Sequence, residues 1–136
     1  MLRLSTDDLL LISTAAMGHG RPPAAEQVTD VKADLGTIAR IIELIDVIGS
    51  EDPIDDAARL VAHLVWERPL GTASERTALL AVAVILDQND VRVPFDWTGC
   101  AELIRSQRRS GLGLGARTEQ IRDWLQSGLA AARGAS

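Results

Sequence analysis

Apolar side chains recur at three- and four-residue spacing through Leu35, Ile38, Ile41, Ile42, Ile45 and Ile48, which marks one face of a helix, and Gly49 supplies its stop. The same spacing returns after Pro53 in Ile54, Ala57, Ala58, Val61, Leu64 and Val65, with the proline suited to a first helical turn. Ser5, followed three residues later by Asp8, predicts a capped helix over about residues 5 to 17 that ends at Gly18. Residues 18–33 (GHGRPPAAEQVTDVKA) hold too many breakers for a long helix, and Pro22 and Pro23 force extended chain there. Pro69 must end the second amphipathic helix and open a tight loop, RPLGTASER. Beyond it, Thr77 to Leu86 is apolar on every side, predicting a central helix buried all round. Val91-Arg92-Val93 reads as a short strand, and two further helices are expected over about 98 to 110 and 118 to 132, with GLGLG as the link between them.

Composition narrows the class. A chain of 136 residues with 46% apolar content fits one all-α domain, residues 1–136, able to bury roughly two-thirds of its unfolded surface. Intrinsic disorder is excluded. Few aromatics beside abundant Ala, Leu, Ile and Val favour helix packing over a β-sandwich, and Trp66, Trp97 and Trp124 are spaced as core fillers between helices. The longest apolar run, Ala78 to Leu86, is nine residues, and MLRLSTDDLL places aspartates where a signal peptide would be apolar, so neither a membrane span nor secretion is expected. Cys100 is the sole cysteine; a partnerless thiol points to a reducing, cytoplasmic setting, and the residue is expected to pack as a small hydrophobe.

The net charge of −5 argues against nucleic acid and anionic membrane as partners. It is unevenly spread: residues 1–67 carry −7 and residues 68–136 carry +2, so an anion is expected in the second half. The arrangement of helix, short proline loop and apolar helix points the free amides of the second helix into the loop, a natural anion site.

The stretch AARLVAHLVWERPLGTASERTALLAVAVILDQNDVRV resembles the core of the Fic/Doc family, whose motif runs HPFxDGNxR, or HxFxDANKR in the Doc branch, followed by TAL and a hydrophobic helix. The likeness extends over residues 2 to about 130, with its core at 53–93, through LSTDDLLLIS, the NDV turn and the C-terminal helices. It implies a Fic/Doc-like helical bundle with a short β-hairpin flap near the site. It also implies transfer of AMP from ATP, or of a phosphate in the Doc branch, to a protein hydroxyl. The Doc toxin acts on elongation factor Tu and is neutralised by a separate antitoxin.

Residue by residue, the chemistry of that motif is replaced. Arg68 stands where the family has its catalytic histidine, and a guanidinium with a pKa above about 12 accepts no proton near neutrality. Leu70 replaces the anchoring phenylalanine, and Thr72 replaces the metal-binding carboxylate and is a poor sole ligand for magnesium. Ala73 keeps the small residue, Ser74 replaces the phosphate-contacting asparagine, and Glu75 stands for the Doc lysine. Pro69, Arg76, Thr77, Ala78 and Leu79 are retained. Loss of one general base commonly costs about 10² to 10⁴ in rate. The regulatory pattern [ST]-x-x-x-E-[GN] is missing, since no glutamate precedes Gly or Asn, so regulation would need a separate partner.

The resulting expectation is a degenerate Doc-like protein in which Thr72, Ala73, Ser74 and Arg76 bind a phosphate or other anion, with no metal and no standard transfer activity. It would act by binding, as a pseudoenzyme or relic toxin component, with a nucleotide or small anion as ligand and a target or antitoxin-like protein as partner. The alternative is an enzyme with repurposed chemistry on an anionic substrate, using Arg68 and Arg76 to hold it and His19 or Asp96 as acid or base. A third reading is an oligomeric interaction domain with a vestigial pocket. Plain structural roles stand beside each: Arg76 paired with Glu75 or Asp55, Arg68 solvated, Ser74 and Thr72 as helix caps, His19 as a loop residue, and His63 as a half-buried structural histidine. Arg105, Arg108, Arg109, Arg117 and Arg122 around GLGLG read as a solvated helical face plus a flexible link, with a phosphate or acidic-partner patch as the functional alternative.

Overall fold

The computed structural model describes residues 4–18, 34–91 and 96–134, with side chains described at 4–14, 34–91 and 96–131. Within those residues the chain is all-α, with six helices: α1 Thr6–Gly18, α2 Leu35–Ile48, α3 Pro53–Glu67, α4 Ser74–Gln88, α5 Trp97–Ser106 and α6 Leu114–Gly134. Single 3₁₀ turns at Gly71–Ala73 and Gln107–Arg109 follow α3 and α5. The expected β-hairpin flap, His19, and Arg92 and Val93 of the expected strand lie outside the described residues. No described helix is long and apolar enough to cross a membrane.

Local chemistry fixes the helix ends. The Ser5 hydroxyl accepts from the Asp8 amide while the Asp8 carboxylate accepts from the Ser5 amide, a reciprocal cap. Asp34 accepts from the Thr37 amide at 3.1 Å to start α2, and Gly49 closes it in the left-handed region (φ 63°), its amide donating to the Ile45 carbonyl. Asp52 caps α3 through the Ile54 amide, and Pro53 occupies its first turn.

Buried residues from all six helices join one hydrophobic cluster. Its axis is α3, which packs chiefly on α4 and α6, while α1 and α5 flank α4 and α2 flanks α3. This corrects the expectation that α4 is buried all round. Leu80 on α4 is 37% exposed, whereas α3 is buried from Ile54 to Val65 apart from the half-buried Arg59. The polar residues of α3 are covered because partners reach them: Arg59 and Arg122 of α6 both engage Asp55, at 3.0 and 3.4 Å.

Two tryptophans are not core fillers. Trp66 is 50% exposed and Trp97 40%, each near a helix end, while Trp124 packs against the core. The GLGLG link is also shorter than expected, since α6 begins at Leu114.

Candidate functional site

The segment joining α3 to α4 positions the candidate residues. Arg68 ends α3 in the left-handed region (φ 48°), its amide donating to the Leu64 carbonyl, and Pro69 then forbids another helical turn. The Pro69 carbonyl accepts the Asp34 amide at 2.7 Å, tying the loop to the start of α2. The loop amides turn inward: Gly71 donates to the Arg68 carbonyl, Ala73 to Leu70, Ser74 to Gly71, and Leu70 to the Ser74 hydroxyl at 3.1 Å. Those four donors are spent on the 3₁₀ turn and are not open to a ligand.

Ala73 and Ser74 are fully buried, so their side chains face the core and not a ligand. Thr72 and Arg76 are exposed and line one cleft of about 370 Å³ whose far wall is Ala101, Ile104 and Arg105 of α5. Arg68 does not join them. It lines a second cleft, of about 330 Å³, with Trp66, Arg108 and Arg117. A third recess of about 450 Å³, between Arg105, Arg108 and Arg109, adjoins both. Among the described residues the three openings are lined by six arginines and one carboxylate, Glu75. Clefts walled by one sign of charge focus the field and draw counter-ions.

Glu75 stands between the two outer clefts. Its Oε1 lies 3.1 Å from Arg108 Nε and 3.6 Å from Arg68 Nη1. Glu75 is thus held by Arg68 and Arg108, and Asp55 by Arg59 and Arg122. Arg68 is therefore an ion-paired side chain, not a solvated one, and it also donates to the Gly71 carbonyl at 3.4 Å.

The arginine cluster of the second half divides by direction. Arg105, Arg108 and Arg109 line the clefts; Arg122 turns to Asp55 and Asp123. Arg117 is buried, donating to the carbonyls of Leu112, Ser110 and Gln107, with its guanidinium 4.8 Å from the centre of the Trp66 ring. Its role could not be read from spacing alone. The recruitment of Arg105 and Arg108 could have been: they lie three apart, on one side of a helical turn.

His63, Cys100 and Asp96 do not line these three clefts. His63 is buried on α3 and lines a separate pocket with Leu44 and Ile48 of α2 and Thr118 of α6. Burial pulls its pKa down, against the raising effect of Glu67, whose carboxylate is 3.5 Å from Nδ1. Cys100 is buried and burial pushes its thiol up to about 11, leaving it unreactive. Asp96 caps α5, its carboxylate accepting the Gly99 amide at 2.9 Å. Among the described residues no cluster of three or more His, Cys, Asp or Glu is arranged to hold a metal ion. The arrangement around the clefts can bind and orient negative charge; its guanidinium groups neither give nor take protons near neutrality.

No protein-family model matches this sequence, and no curated protein matches it either.

Proposed function

We propose that this chain is a binding protein for a small anion, on a Doc-like helical scaffold that lacks the transfer chemistry of the Fic/Doc family. The observation that carries the reading is the cleft between the α3–α4 loop and α5, where Arg76 and Arg105 flank Thr72. Two guanidinium forks and a hydroxyl suit phosphate or carboxylate oxygens, and the neighbouring arginines add a positive field. The retained Pro69, Arg76, Thr77, Ala78 and Leu79 of the resemblance support the scaffold part. The spent loop amides move the anion from the loop itself to the side chains beside it. Arginines dominate the described lining of the three clefts, which supports binding of negative charge, and a relic toxin component would carry out that binding beside a protein partner.

Titration with inorganic phosphate at low and high salt, followed by calorimetry and thermal unfolding, tests this. Binding that weakens about tenfold in Arg76→Ala and in Arg105→Ala, and falls with salt, is the expected result. No heat and no melting shift at millimolar phosphate would overturn the anion site. Magnesium-dependent transfer of label from ATP to any protein in a cell extract would overturn the binding-only reading.

A further inference from the structure

Trp66 ends a helix whose preceding residues are almost all buried, yet half of its surface is in water. The guanidinium of Arg117 stacks on the indole, 4.8 Å from the ring centre, and cannot swing away because backbone carbonyls of Gln107, Ser110 and Leu112 hold it. Beside the ring the cleft is walled by Arg68 and Arg108, and among the described residues its lining contains three arginines and no carboxylate. Glu75 reaches this pair only from the adjoining side, sharing one oxygen between both guanidiniums, and that oxygen is buried without a well-formed hydrogen bond.

An aromatic plate fixed by a cation, next to two further cations that share one poorly bonded carboxylate oxygen, has a defined complement. We propose that the Trp66 cleft takes a planar aromatic group bearing a negative charge, the ring resting on the exposed indole surface and the anionic group on Arg68 and Arg108. The proposal rests on the anion-binding reading above and adds a chemical class to it. The aromatic part gains because the indole is already immobilised, so little side-chain freedom is lost on stacking. The anionic part gains because bidentate guanidinium contacts add to the single shared oxygen of Glu75. The volume of about 330 Å³ lies at the low end for small-molecule sites, which suits a mononucleotide-sized body and not a dinucleotide.

The test is a fluorescence and calorimetric titration of the full chain with GMP, guanosine and inorganic phosphate, exciting at the red edge of the indole band where the purine is transparent. The expected result is saturable quenching by GMP, with GMP binding about 5- to 100-fold tighter than phosphate and tighter than guanosine. Trp66→Phe should abolish the quenching and leave phosphate binding and the melting temperature near those of the unaltered chain. The double variant Arg68→Ala/Arg108→Ala should lose the preference for GMP over guanosine. Phosphate binding with GMP no tighter, or quenching that survives Trp66→Phe, overturns this inference while leaving the anion site standing. Failure of both phosphate and GMP to bind overturns the two together, and Arg76→Ala then has no effect to show.

Discussion

Glu75 Oε1 lies 3.1 Å from Nε of Arg108, joining the first turn of α4 to the 3₁₀ turn that follows α5. The same oxygen is 3.6 Å from Arg68 Nη1, so one carboxylate neutralises half of a two-arginine pair. Arg108 is 56% exposed at its side chain, and such pairs contribute about 0–1 kcal/mol once water and salt screen them. Glu75→Gln should therefore change stability little. It should raise phosphate affinity several-fold at low salt, because it removes the one carboxylate that lines the three clefts among the described residues. Calorimetry on the variant and the unaltered chain, repeated at high salt where the gain should shrink, checks this.

Ser74 is a fully buried hydroxyl that accepts the Leu70 amide at 3.1 Å. Ser74→Ala leaves that amide buried without a partner, at a cost of about 1–3 kcal/mol. Urea unfolding should show the loss as a lower midpoint with an unchanged slope. Thr72→Ala, at an exposed position of the same loop, should stay within about 0.5 kcal/mol. Equal effects of the two would contradict the inward-turned geometry.

Arg117 acts as a tie-bar. Its guanidinium serves carbonyls at Gln107, Ser110 and Leu112 and covers Trp66, so it holds the turn after α5 against the start of α6 and the end of α3. Arg117→Ala should cost about 2–4 kcal/mol by stranding buried carbonyls. Arg117→Lys should recover only part of this, since an ammonium cannot span three acceptors arranged for a planar fork. Thermal and urea unfolding of both variants give the comparison.

The helices were legible where a stripe and a stop coincide, as in α2 with Gly49 and α3 with Pro53. What failed was the ranking of α3 against α4. Asp55, Asp56 and His63 make α3 look like a surface helix, and only Arg122 arriving from 67 residues away explains the burial of Asp55. The loop was legible as a break, but not the direction of its amides, because a Ser hydroxyl that accepts from four residues upstream and one that caps a helix look alike in sequence. Arg108 and Arg117 show the same limit: both sit near GLGLG, yet one lines a cleft and the other props up a backbone turn.

His63 gives a pH dependence whose sign follows from its surroundings. Burial, with Arg40 and Arg59 adding repulsion, outweighs the attraction of Glu67 and holds its pKa below the ordinary 6.5. The unfolded chain then takes up a proton as pH falls through about 6.5 while the folded chain does not, so this contribution to stability is complete above that value and is lost below it. The loss is at most about 1.4 kcal/mol per pH unit for one proton. Asp55 works at lower pH: burial raises its pKa, but Arg59, then Ser50 and Arg122, more than offset this, so its contribution is present above the ordinary 3.8 and fades on further acidification. Asp56 has the opposite sign, raised by burial first, and its penalty is relieved as the medium becomes acid. Between pH 7 and 5 the difference between the unaltered chain and His63→Gln isolates the imidazole. Urea unfolding at several pH values should show stability falling across that window in the unaltered chain and a flatter profile in the variant. Parallel profiles would mean that His63 takes up its proton in the folded state, pairing with the Glu67 carboxylate 3.5 Å away strongly enough to overcome its burial.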